Sequence, residues 1–101
     1  MIIIKLEDGF TFNAESISES KRLKDNYRHN LTITVNDNIN DVDYYEDILS
    51  KKNVLNTIEA IADFGIVSFN GFTEVHSISR MIEHDGIKIR ISLVIPGEEV
   101  K

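Results

Sequence analysis

Over most of its length the chain alternates apolar and polar side chains with a period of two, and glycine-bearing turns interrupt the alternation. A period of two puts successive residues on opposite faces of a strand, so the pattern builds half-buried antiparallel sheet. Ile2, Ile4 and Leu6 alternate with Ile3 and Lys5; after Glu7-Asp8-Gly9, the residues Phe10, Phe12 and Ala14 alternate with Thr11, Asn13 and Glu15. Gly9 can take the positive φ that a tight hairpin demands and a Cβ opposes. His84-Asp85-Gly86 repeats the signal ahead of Ile87, Ile89, Ile91 and Leu93, which alternate with Lys88, Arg90 and Ser92. Pro96-Gly97 closes that run.

Between the two hairpins the pattern is less regular. After Ala14 the apolar phase slips to Ile17, and Ser16, Ser18 and Ser20 lead into Lys21-Arg22-Leu23-Lys24, which predicts a bulge or a loop. Tyr27, His29, Leu31, Ile33 and Val35 share one face of a strand running to about Val35. Asn36-Asp37-Asn38 ends it, and Asn40 or Asp41 offers an N-cap. Asp41, Asp43 and Glu46 suit the positive end of a helix dipole, and Lys51 and Lys52 the negative end. One short helix over residues 41–51 is therefore expected, burying Val42, Tyr45, Ile48 and Leu49.

Residues 54–63 admit two readings: Leu55, Ile58 and Ala62 have helical spacing, whereas Ile58 and Ala60 against Thr57, Glu59 and Ile61 have strand spacing. The turn Asp63-Phe64-Gly65 into Ile66-Val67-Ser68-Phe69 favours a strand over 57–62. Asn70-Gly71 bends the chain before Val75, Ser77 and Ser79, with His76, Ile78 and Arg80 as the opposite set. The expected fold class is α+β: mostly antiparallel β, about six to seven strands in hairpins, with one short helix.

A chain of 101 residues with 42% hydrophobic and 28% charged side chains fits a single domain, 1–101, with residues 97–101 as a flexible tail. Seventeen acidic against eleven basic side chains give a net charge of −6. That sign disfavours nucleic acid and anionic lipid alike, and no apolar run approaches the length of a membrane span, so neither partner is expected. There is no Cys, which excludes a disulfide framework and a thiolate metal site. Met1 leads straight into Ile2, Ile3 and Ile4 without a basic n-region, so no signal peptide is expected.

Chemistry-bearing constellations are sparse. Asp37, Asp41, Asp43, Glu46 and Asp47 form an acidic cluster, but counting from Asp37 an EF-hand-type loop would find Ile39 at the third position, Val42 at the sixth and Ile48 at the twelfth. A solvated, helix-capping face is the expected role. His29, His76 and His84 lack a zinc-ligand spacing, the serines lack a nucleophile elbow, and the five glycines form no phosphate cradle. The chain is thus expected to be no enzyme and to hold no cofactor or metal.

Charge is polarised, with Lys21, Arg22, Lys24 and Arg28 in a basic island and residues 37–47 in an acidic one. Ordinary solvated loops give the same pattern; an interface using both islands would pair copies, or a neighbour, head to tail. Tyr44, off the buried helix stripe, would join such an interface. The candidate interface residues are Lys21, Arg22, Lys24, Arg28, Asp41, Asp43, Tyr44 and Asp47.

The order Leu6-Glu7-Asp8-Gly9-Phe10-Thr11-Phe12, Ser16-Ile17-Ser18, Leu31-Thr32-Ile33-Thr34-Val35, Tyr45-Glu46-Asp47-Ile48-Leu49, Phe69-Asn70-Gly71-Phe72-Thr73 and Ser77-Ile78-Ser79 spans nearly the whole chain. It resembles small proteins encoded among the tail genes of phages and prophages of Gram-positive bacteria. The resemblance implies a structural or assembly subunit near the tail or baseplate, located in the virion or the host cytoplasm, with protein partners and no catalytic residues. An alternative from a different class is a small acidic inhibitor that covers a basic surface of a host protein.

Overall fold

The structure, a computed structural model, describes residues 2–22, 28–51, 54–72 and 74–96. The described residues form eight strands and one helix: β1 (Ile2–Lys5), β2 (Thr11–Ala14), β3 (Ser16–Arg22), β4 (Arg28–Asn36), α1 (Val42–Leu49), β5 (Thr57–Ala62), β6 (Gly65–Asn70), β7 (Glu74–Glu83) and β8 (Gly86–Pro96). They make two antiparallel sheets of four strands, ordered β2-β1-β5-β6 and β3-β4-β8-β7. The expectation of a mostly antiparallel fold with a single short helix holds. The strand count exceeds the expected six to seven by the serine-rich segment after Ala14, which is strand β3 rather than a loop.

The phase slip at Glu15 has a physical cause. Ala14 is buried in the first sheet; one residue later the chain crosses to the second, where the Glu15 N–H donates to the Thr34 carbonyl at 2.8 Å. A strand that changes sheets at a corner must turn its inward face, and Ile17 replaces Ser16 as the core-facing residue. Ser18, Glu19 and Ser20 are exposed because β3 is an edge strand, so its sequence reads as loop although its backbone pairs with β4 from Ser16 to Arg22. A second slip occurs on β7. A bulge between Val75 and Ser77 leaves His76 without a partner and puts Val75 and Ile78 on one face, correcting the uninterrupted alternation expected there.

The core is one cluster drawn from both sheets and the helix. Across the second sheet Ile17, Ile33, Ile91 and Ile78 lie in register in a single row. From the first come Ile4, Ile58, Ala60 and Phe69, with Leu6, Val54, Leu55 and Phe72 around them. Burying each large side chain contributes about 1.5–3 kcal/mol. Thr57–Ala62 is strand β5, settling the ambiguous segment: Ile58 and Ala60 face inward, and the strand pairs on both sides.

Asp41 caps α1, its carboxylate accepting from the Val42 N–H at 2.7 Å. The helix is shorter than expected. It ends at Leu49 with Ser50 as C-cap, and no basic residue lies in its last turn, since Lys51 falls beyond the cap. Tyr45, Ile48 and Leu49 are buried, with Val42 partly so. The Tyr45 ring meets Phe12 of β2 edge-on at 5.9 Å, and α1 also packs against β7. Residues 97–101, expected to be a flexible tail, lie outside the described residues.

Candidate interaction surface

The sequence pointed to charged islands. In the basic one, Lys21 is exposed on β3, and the register sets Arg22 directly opposite Arg28. Lys24 and the side chains of Arg22 and Arg28 lie outside the described residues. In the acidic one, Asp41 is committed to the helix cap and to an ion pair with Arg80 at 2.8 Å. Asp43 and Asp47 are exposed, and Tyr44 is partly so, its ring perpendicular to that of Tyr45 at 5.2 Å.

Asp37 acts inside the fold. Its carboxylate accepts from the Ile39 and Asn40 N–H groups at 2.8 and 2.9 Å, from the Asn40 amide at 3.1 Å, and from the Tyr45 hydroxyl. Burial alone would raise this carboxyl, but the hydrogen bonds from Asn40, Tyr45 and Ile39 outweigh it and hold the group down at about 2. Tyr45 moves the opposite way, raised by its burial and by the Asp37 carboxylate it donates to.

Lys88 lies on the outward-facing set of β8 yet is only 9% exposed. Its ammonium is 2.9 Å from Glu15 and 3.5 Å from both Glu83 and Asp85. The hydrogen bond to Glu15 raises Lys88 against the opposing pull of desolvation, with the charges of Asp85, Glu15 and Glu83 adding to the rise. The Glu15 contact pins the β2–β3 corner to the β7–β8 hairpin, to which Lys88, Glu83 and Asp85 all belong. Several acidic groups thus have internal partners, which leaves fewer of them for a basic protein surface.

His29 is half-buried beside Phe72, its Nε2 2.5 Å from Glu19, while His76 and His84 are exposed. Among the described residues no three His, Asp or Glu side chains converge as a metal site would require. A shallow depression along Ile82, Glu83, His84 and Asp85 gathers no convergent polar groups from other elements among the described residues. No helix among the described residues is long and apolar enough to cross a membrane.

The surface that stands out is apolar and was not among the expected residues. On the outer face of the first sheet Ile3, Ile61 and Ile66 lie side by side in register, and Ile66 is 61% exposed. Phe64, at the β5–β6 turn, is 82% exposed, and Val67 on β6 is 40% exposed. β6 is the last strand of its sheet, so its outer edge is unpaired among the described residues. The signal in the sequence was an absence: residues 64–72 carry no charge in a chain that is 28% charged. Reading Ile66-Val67-Ser68-Phe69 only as a strand passes over which side of that strand is left open.

Comparison with known proteins gave no match to a family model, a curated protein or a solved structure.

Proposed function

We propose that the chain is a non-enzymatic structural or assembly subunit of a phage or prophage particle, from the tail or baseplate region, working through protein–protein contacts. The observation that carries this is the apolar outer face Ile3–Ile61–Ile66, exposed at Ile3 and Ile66, running to the uncharged edge of β6 that is unpaired among the described residues. An exposed flat edge rich in apolar residues invites pairing with another chain, and proteins that have no use for such an edge blunt it with charge, proline or a bulge. Strand addition along such an edge supplies main-chain hydrogen bonds, and the adjoining side chains supply selectivity. The assignment to a particle rests on the resemblance to tail-region proteins.

The test is composition of purified material. Particles and tail intermediates released by induction of a lysogen carrying the gene are separated on a density gradient and quantified by mass spectrometry. The chain is expected at a fixed ratio to the other structural proteins in at least one fraction. Its absence from all of them would contradict the proposal.

A further inference from the structure

We infer that the partner of β6 is β6 of a second copy, paired antiparallel about a two-fold axis at Ser68 so that two four-stranded sheets become one of eight strands. The inference rests on the reading of this edge as the contact surface and names its occupant.

The Gly71 N–H donates to the Asn56 carbonyl at 2.9 Å, next to the register pair Thr57 and Asn70. Bonded and non-bonded pairs alternate along an antiparallel ladder, so Phe69, Val67 and Gly65 also point their N–H and C=O groups toward β5. Those of Ile66, Ser68 and Asn70 point away from it, where no strand follows among the described residues. Setting Ser68 opposite Ser68 of a second copy puts Ile66 opposite Asn70 in both directions. All three outward residues of each copy are then satisfied, with about six hydrogen bonds. In the same register Val67 falls opposite Phe69 twice, on the inward side, which covers the exposed Val67.

Charge selects a second copy over a different partner. An isologous contact brings each side chain near its own equivalent, so any charge near the axis would face its like. In a chain of net charge −6, the nine residues from Phe64 to Phe72 contain none. The other edges differ: β7 is bulged and carries Arg80 and Glu83, β3 carries Glu19 and Lys21, and β2 has four residues and runs into the corner at Glu15.

Sedimentation velocity over a concentration series tests this. The native chain is expected to pass from monomer to dimer. Ser68→Pro, which removes an N–H that points away from β5, should raise the dimer dissociation constant at least about tenfold while keeping the β5–β6 ladder of the dilute protein intact. Because the native chain has no Cys, Ser68→Cys gives an independent reading: a short bis-maleimide should join two copies through Ser68→Cys and not through Ser79→Cys on β7. A native chain that stays monomeric to several hundred micromolar overturns the pairing, as does a dimer indifferent to Ser68→Pro or cross-linked only through position 79. A monomeric chain still found in purified particles would overturn the two-fold contact alone and leave the assembly role standing.

Discussion

Tyr45 on α1 donates its hydroxyl proton to the carboxylate of Asp37, just beyond the end of β4, and so fastens the helix to the second sheet. Asp37 titrates at about 2 in the fold against an ordinary value of 3.8. A depressed carboxylate stabilises the fold above the ordinary value and loses that contribution as the pH falls through the depressed one. Stability from this contact should therefore be complete above about pH 4 and gone below about pH 2. Tyr45→Phe removes a hydrogen bond to a charged group and should cost about 1–2 kcal/mol at neutral pH, with the difference from native narrowing through that window. Urea melts across the pH range measure it. Carboxyl NMR should also show Asp37 rising toward 3.8 in the variant; an unmoved titration would contradict the contact.

Gly86 and Asn38 give the second prediction. Gly86 has φ +139°, and a Cβ there would lie 2.8 Å from the Asn38 side-chain oxygen, which also accepts from the Ile87 N–H. Gly86→Val should cost more than about 1 kcal/mol, combining backbone strain with that clash. Gly9→Ala supplies the comparison, since it shares a positive φ but meets nothing within 4 Å. Equilibrium unfolding should rank Gly86→Ala below Gly9→Ala in stability; equal losses would mean that the Asn38 side chain yields to the added Cβ without cost.

Position on the sheet decides the third. Ile89 is fully buried on β8, whereas Ile66 is largely exposed on β6. Ile89→Asp buries an unpaired charge and should prevent folding, while Ile66→Asp should leave the monomer's melt within about 0.5 kcal/mol of native. Circular dichroism melts of dilute protein distinguish them. Similar behaviour of the two variants would mean that the faces of the strands are misassigned.

What the sequence made legible follows from which signals are local. The Asp8-Gly9 and Asp85-Gly86 hairpins, the helix cap at Asp41 and the strand at 57–62 each depend on neighbours along the chain, and each occurs. β3 was missed because beyond Ile17 both faces of this edge strand are exposed, Ser18 and Ser20 on one and Glu19 and Lys21 on the other, which resembles a loop when the pairing with β4 is unseen. The slips at Glu15 and His76 are consequences of a sheet change and a bulge, which no periodicity window reveals. Lys88 looks like a solvated alternate residue until Glu15 arrives from the distant β2–β3 corner to join Glu83 and Asp85 of its own hairpin. For the interaction surface, charge drew attention to residues 21–28 and 41–47, whereas the edge left unpaired among the described residues lies in an uncharged segment.

If β6 pairs as proposed, its outer side is open in one chain and closed by association. Residue-resolved amide exchange reads it directly. In dilute monomer the amides of Val67 and Phe69 should exchange slowly and those of Ile66, Ser68 and Asn70 quickly, and the latter three should become protected as concentration rises. If all five are protected where the chain sediments as a monomer, or if those three stay unprotected at every concentration, β6 does not pair in this way.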